Sequence, residues 1–493
     1  MPPSLATAEH TQTAAGATAV SPPPAVQPAP LPKRDADLRL NDWYEVYPSP
    51  SPDIVKSEAE RCMSCGTAYC QPSSGYGQGC PIDNKIPEWN KLAAAGRWRD
   101  AYDRLRLTNN FPEFTSRLCP APCQDACIHQ LNGPPIAIKC IERAISDTAY
   151  QRGWTHPNPP SRRTGKRVAI IGSGPSGLTV ADQLNHLGHA VTVYERDDRP
   201  GGLLTYGVPN MKLDKGVVER RLDIMAAEGV RFRCNAHVGI NLDPEVLQSE
   251  YDAVVLACGA LKPRDVRLPG RELAGITQAM PYLTAATRQL LDGTPLPDPT
   301  LDAAGRDVVV IGGGDTGADC IGTALRQGCR SLLNITRRDT PPDHRDDRHP
   351  WPGPTGAFMT DYAHAEGAAR FGQDPRRFNI NPVAFLADPT GGTPHIRAVL
   401  VDRTDPTTGV TDQVELPAQR VILAIGFTGS DSTHLYDAFG IDPANPAAAE
   451  PTGLFTTGDM RRGPSLVVWA IREGRLAAER VHRSLSRAGA VSA

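Results

Sequence analysis

Val168-Ala-Ile-Ile-Gly172-Ser-Gly174-Pro-Ser-Gly177, followed by Val191-Thr-Val-Tyr-Glu195, is the stretch that decides the fold. An apolar run short enough for a buried parallel strand meets three glycines, a helical stretch follows, and a second apolar run ends in an acid. Gly172 permits the tight turn, Gly174 removes a side chain where a pyrophosphate approaches the backbone, and Gly177 lets helix and strand pack closely. The helix N-terminus then faces the phosphates. Glu195 stands where a carboxylate accepts hydrogen bonds from an adenosine ribose.

A single glycine fingerprint is weak, since a strand-to-helix turn without a ligand has the same residues. Here Val308-Val-Val-Ile311-Gly312-Gly313-Gly314-Asp315-Thr316-Gly317 repeats it, and the second strand of this unit, from Ser331 to Thr336, ends in Arg337-Arg338. The acidic site suits a free 2′-hydroxyl, as in FAD, and the basic site suits the 2′-phosphate of NADPH. The bland alternative for the two arginines is a pair of solvated charges at a strand end.

At 493 residues the chain exceeds one hydrophobic core, and two or three domains are expected. A hydrophobic fraction of 40% and a charged fraction of 22% describe a soluble globular protein with no run long enough for a transmembrane helix. The net charge of -3 gives no reason to expect nucleic acid or an anionic membrane as partner. Residues 1–35 are rich in Ala, Pro and Thr, with no basic residue before Lys33, and read as a disordered tail. They lack the features of a secretory or transit peptide, so the expected address is the cytoplasm.

Of 12 cysteines, eight lie between Cys62 and Cys140: Cys62-x2-Cys65-x4-Cys70-x9-Cys80, then Cys119-x3-Cys123-x3-Cys127, with Cys140 further on. In a reducing compartment such thiols stay open, and metal is the better reading. Structural zinc takes paired Cys-x2-Cys knuckles, of which only Cys62 and Cys65 form one. Iron-sulfur clusters take three thiolates from a close run and a fourth from a distant one, often a Cys before Pro, as in Cys80-Pro81 and Cys119-Pro120. A flavin nearby supplies the reason for one-electron centres. The segments around Trp89, Trp98, Tyr102 and Leu105 carry apolar residues at helical steps and are expected in the core.

Further on, the loop from Gly201 to Pro209, with Gly202 and Leu203, is expected to cover a flavin, and two apolar runs, Tyr251 to Ala260 and Arg420 to Phe427, each close on a glycine turn. This pairing suggests nesting. A nucleotide domain over 282–422 would be inserted into another made of 161–281 and 423–493, preceded by a helical domain over 36–160. Gly453 to Gly458-Asp459 runs into a helix expected from about Ser465 to Leu485, whose positive end would face the flavin. The fold class is α/β with two nested Rossmann-like units behind an α-helical iron-sulfur domain. No Cys-x2-Cys pair lies near either unit, which argues against a dithiol reductase. Hydride transfer needs positioning more than acid or base, so no general base is named.

The chain resembles the small (beta) subunits of bacterial NADPH-dependent glutamate synthase from about Arg39 to Arg480. The carriers are Arg61-Cys62-Met63-Ser64-Cys65-Gly66, Gly79-Cys80-Pro81, Ile86-Pro87-Glu88-Trp89-Asn90, Asn109-Asn110-Phe111-Pro112-Glu113-Phe114-Thr115, Arg117-Leu118-Cys119-Pro120-Ala121-Pro122-Cys123, Gly312 to Cys320, and Gly458-Asp459 through Val467-Val468-Trp469-Ala470. The same module resembles the amino-terminal half of dihydropyrimidine dehydrogenase. The resemblance implies FAD in the first site, NADPH in the second and two 4Fe-4S clusters. Cys62, Cys65, Cys70 and Cys127 would hold one cluster. Cys80, Cys119 and Cys123 would hold the other, with Glu142 in the family's non-cysteine position and Cys140 as the competing fourth ligand. It also implies a partner, a large (alpha) subunit holding FMN and making L-glutamate from L-glutamine and 2-oxoglutarate. Two stretches depart from the family's pattern, the long Gln71 to Gly79 loop and the neighbourhood of Arg337-Arg338. Competing expectations are a flavin reductase of another family serving another acceptor, and a zinc-stapled adaptor without activity.

Overall fold

In a computed structural model, which describes residues 32–71, 78–296, 298–389, 394–405 and 407–490, the opening stretch forms strand Arg167–Ile171 at the centre of a sheet. The sheet is parallel throughout, in the order Leu454–Thr456, Ala253–Leu256, Arg167–Ile171, Ala190–Tyr194 and Arg231–Arg233. Both faces are covered, which is why Val168 to Ile171 has no polar alternation. Helix Pro175–His186 follows the glycines and packs against the long helix Val467–Ala490.

The second sheet, also parallel, runs Ile276–Gln278, Arg420–Leu423, Asp307–Ile311, Ser331–Ile335 and Arg376–Arg377, with the glycine-turn strand again central but an edge strand that begins its unit instead of ending it. A three-stranded antiparallel sheet, Ile380–Ala387, Ile396–Thr404 and Thr411–Pro417, shares its core through Phe385, Val399 and Val401. The whole second unit is inserted between Ala253–Leu256 and Leu454–Thr456, neighbours in the first sheet. The chain crosses on a two-stranded ribbon, Lys262–Pro263 against Phe427–Gly429. The crossing therefore comes earlier than 282 and later than 422. A cut at 282 would divide helix Ala279–Asp292, and one at 423 would divide strand Arg420–Leu423.

The cysteine-rich region is built from helices Pro52–Glu60, Ile86–Ala94, Trp98–Arg106, Pro112–Leu118 and Ile138–Gln151. Trp89, Tyr102 and Leu105 are buried with Phe111, Phe114 and Ile141 in a core continuous with that of the first nucleotide unit. The segment before it behaves differently from the expected 36–160 domain. Arg39 is buried against Glu366, Arg326 Nε donates to Asp42 O, and Val46 joins the second unit's core. Residues 34–47 thus strap the second nucleotide unit before the cysteine-bearing helices begin.

Three local expectations are revised. Residues Gly201 to Pro209 contain a short π-helix, Leu203–Gly207. The run from Arg420 to Phe427 divides after Leu423 because its end enters the crossing ribbon, and the last helix begins at Val467. The tail up to residue 31 and the centre of the Gln71 to Gly79 loop lie outside the described residues. Among the described residues no helix is long and apolar enough to cross a membrane.

Candidate functional site

The first glycine turn is shaped by what its backbone must avoid. Gly172 has φ +102°, and a Cβ there would stand 2.5 Å from Ala257 O. A Cβ at Gly177 would overlap the carbonyl of Gly172, whereas one at Gly174 meets nothing within 4 Å. The backbone is bare on the side where a pyrophosphate would sit, and helix Pro175–His186 starts there with no side-chain cap on its amides. Glu195 is buried at the end of strand Ala190–Tyr194. Its Oε2 accepts the Ser173 N–H at 3.2 Å and its Oε1 the Asp197 N–H at 3.0 Å. Gly202, at φ +54°, lies against Gly174 and brings Leu203 to the same wall.

Gly458, at φ +66°, faces Ser176, because a side chain there would collide with the Ser176 hydroxyl. Asp459 Oδ2 accepts the Ser465 N–H at 3.1 Å, and burial raises its carboxyl above the ordinary value. This clamp aims the first turn of helix Val467–Ala490 at the glycine turn.

The second turn has the same geometry. Gly312 (φ +123°) approaches Ala424 O, Gly317 faces Gly312 O, and Gly314 has nothing within 4 Å of its added Cβ. Helix Asp315–Arg326 again starts without a side-chain cap. Asn334 Nδ2 donates to Gly312 O at 2.7 Å and fixes the turn. Arg337 and Arg338 follow strand Ser331–Ile335 and are exposed. Among the described residues neither guanidinium has a partner, so both are free to meet a phosphate.

A single cavity of about 850 Å³ joins these parts. Its wall includes Gly172 to Ser176, Glu195, Gly202, Leu203 and Asp459 from the first unit, and Asp315, Thr316 and Leu423 from the second. Arg337, Arg338, Gly312, Gly314 and Gly317 lie outside this wall, as does Gly458. Leu118 and Pro120 also line it, so the neighbours of Cys119 in the chain touch the flavin-sized space. Sequence reasoning missed several wall residues, among them His237, Met280 and Arg288, which lie in stretches without a local motif.

Behind Cys119 a void of about 20 Å³ is lined by Cys80, Cys119, Cys123 and Glu142, with Thr115, Lys139 and Val468. Val467 lines the large cavity and Val468 this void, so the first turn of helix Val467–Ala490 borders both. Glu142 Oε1 accepts from Thr115 Oγ1 at 2.8 Å and from Asn109 Nδ2 at 2.9 Å. Burial pushes its carboxyl up to about 7, against the pull of these two hydrogen bonds. Burial also pushes the Cys80 and Cys119 thiols up to about 12. Cys140, although two residues from Glu142, lies instead beside Glu58 and Arg143.

Cys62, Cys65, Cys70 and Cys127 form a second group. Burial raises the Cys65 and Cys70 thiols, with Cys62 and Cys127 adding to the shift in each. Cys62, Cys65 and Cys70 are half-buried, whereas Cys80, Cys119 and Cys123 are buried. The donor chemistry fits iron-sulfur clusters: thiols that resist ionisation alone converge in two groups where a polycation would hold them as thiolates.

Comparison with known proteins bears on the same regions. A family model described as dihydropyrimidine dehydrogenase domain II, 4Fe-4S cluster, matches residues 39–154, and one for pyridine nucleotide-disulphide oxidoreductases matches 130–249 and 166–348. The glutamate synthase [NADPH] small chain of Bacillus subtilis is 45% identical over 471 residues, 92% of this chain and 95% of that one. That of Escherichia coli is 34% identical over 91% of this chain and 95% of its own length. Glutamate synthase [NADH] of Schizosaccharomyces pombe is 46% identical over 90% of this chain, which spans only 22% of it. Among solved structures, the oxidoreductase FprA of Mycobacterium tuberculosis aligns with TM-score 0.50 at 21% identity, covering 66% of this chain and 86% of that one, a likeness of fold alone. With two glycine cradles, two cysteine groups and small-chain relatives matched over nearly their whole length, the chain belongs to the glutamate synthase small-chain family.

Proposed function

We propose that this chain is the electron-input subunit of a glutamate synthase, with FAD on the first cradle, NADPH on the second and two 4Fe-4S clusters on the cysteine groups. The observation that carries the reading is one cavity that reaches from the first glycine turn, past Asp315 and Thr316 at the start of the second unit's helix, to the flanks of Cys119. When bound, NADPH supplies a hydride, FAD accepts it and releases electrons singly, and the clusters relay them.

The residues of the chain bind and position. The bare backbone at Gly174 and Gly314, with the helix starts behind them, takes the pyrophosphates. Glu195 accepts from the ribose of FAD, and Arg337 with Arg338 meets the 2′-phosphate of NADPH. Gly202, Leu203, Gly458 and Asp459 close the flavin side, and the start of helix Val467–Ala490 presents its positive end there. The inner cluster takes Cys80, Cys119, Cys123 and Glu142, and the outer one Cys62, Cys65, Cys70 and Cys127. The outer group, with Cys62, Cys65 and Cys70 half-buried, is the exit, where a large FMN-holding subunit would dock beside exposed Met63. The domains are assigned accordingly, with the second nucleotide unit beginning and ending at the crossing ribbon. A cytoplasmic address suits the open thiols.

Anaerobic stopped-flow reduction tests the reading. NADPH is expected to bleach the visible spectrum, and Arg337→Ala with Arg338→Ala to weaken NADPH binding by about tenfold or more while leaving NADH nearly unchanged. A colourless protein with neither flavin nor sulfide would overturn it.

A further inference from the structure

At the end of the first nucleotide unit away from the glycine turns lies a group of donors outside the electron path. Asp182 and His186 are one turn apart on helix Pro175–His186, and Glu228 is the C-cap of helix Lys215–Ala227. One ligand atom from each lies within 4.8 Å of the other two.

Asp182 is 3% exposed. Its Oδ2 accepts from Asn110 Nδ2, but Oδ1 has no hydrogen-bond partner and faces His186 Nδ1 at 3.6 Å. A buried carboxylate oxygen without a partner is costly unless a cation meets it. Within hydrogen-bond distance of the Asp182 main-chain oxygen, at 2.7 Å, His186 Nδ1 is placed to donate to it. In that tautomer Nε2 carries the lone pair, and it lies 3.7 Å from Glu228 Oε1. Metal-binding imidazoles are held in this way, with the other nitrogen donating to a carbonyl. Glu228 is itself buried and oriented by the Asn158 N–H at 3.0 Å. The two helices both end here, so their negative poles add to the field of the two acids. Arg475 donates to Asn110 Oδ1 at 2.8 Å and feels the Asp182 charge, but makes no hydrogen bond to its free Oδ1.

We propose that Asp182, His186 and Glu228 form a site for a divalent first-row transition ion. One imidazole and two carboxylates suit Zn²⁺ or Mn²⁺, and lack the oxygen-rich shell that Ca²⁺ takes. The His186 side chain is 35% exposed, which leaves water the open coordination position. None of the three residues lines the large cavity. Through Asn110 and Asn158 the ion would fasten the helices of the flavin unit to the cysteine-bearing domain and to the linker that leaves it. This reading is independent of the electron-input role.

The test uses the full chain, prepared anaerobically with clusters and flavin in place, and treated with chelator. Zn²⁺ is then counted per chain by equilibrium dialysis for wild type, His186→Ala and Glu228→Gln, with thermal unfolding of each in parallel. One more zinc per wild-type chain than per variant is expected, with affinity about tenfold or more weaker in the variants. Zinc should raise the unfolding midpoint of the wild type alone, and flavin reduction by NADPH without zinc should match in all three. Equal zinc stoichiometry and affinity in all three proteins would overturn the proposal. So would a wild type whose midpoint ignores zinc, since the trio would then be an imidazolium held between two acids.

Discussion

A methyl group added at Gly174 meets nothing within 4 Å, whereas one at Gly172 runs into Ala257 O at 2.5 Å and requires φ +102°. Gly174→Ala should therefore fold with an unchanged unfolding midpoint in flavin-free protein, yet retain several-fold less FAD. Gly172→Ala should lose flavin and also stability, by about 1–3 kcal/mol. Flavin absorbance per chain and thermal melts separate the two. The second residue-scale prediction concerns helix Ile138–Gln151. Cys140 sits beside Glu58 and Arg143, away from the other thiols, while Glu142 lines the void with Cys80, Cys119 and Cys123. Cys140→Ser should leave iron and acid-labile sulfide unchanged, and Glu142→Ala should remove one cluster, about half of the iron. The competition between these two positions could not be decided from spacing, because two residues of separation on a helix point to different faces.

At the scale of elements, the π-helix Leu203–Gly207 that closes the flavin side is held from behind. Lys215, buried at the start of helix Lys215–Ala227, donates through Nζ to Leu204 O at 2.9 Å and to Val208 O. Burial lowers this ammonium from its ordinary 10.5 to about 7, against the pull of Asp319 and Asp214. The unfolded chain then holds one proton more than the native chain between about pH 7 and 10.5, and stability rises with pH across that window. Below about 7 both states hold the proton and this contribution is flat. Unfolding midpoints from pH 6 to 9 should show a rise that is absent in Lys215→Met, which should also release flavin faster. Neither the π-helix nor its lysine was legible in the sequence. Gly201 to Pro209 has no period, and a lysine before a glycine carries no sign that it will be buried.

Across the whole molecule, the cysteine-bearing helices are locked to the flavin unit by a buried ion pair, Arg221 Nε to Glu113 Oε1, covered by Tyr150. Arg221→Met leaves Glu113 buried without its cation and should cost about 3–5 kcal/mol, while the double variant with Glu113→Gln should recover part of it. Denaturant unfolding of the three proteins measures both. The nesting of the two nucleotide units was readable because each ends with its own strand and glycine turn. Where the chain crosses was not, since Lys262–Pro263 and Phe427–Gly429 pair only across the 163 positions from 264 to 426 and neither run has a pattern of its own.

The sequence by itself determined the two glycine cradles, the acid and the arginines after their second strands, and the thiol groups. Each of these is a local instruction in which backbone geometry and donor spacing act within a few residues. Tertiary structure alone decided that Leu118 and Pro120 border the flavin-sized cavity, that Glu142 lines the void beside the inner thiols, and that residues 34–47 strap the second unit. Those juxtapositions follow from which buried faces find one another when the chain packs, and no short-range pattern encodes them.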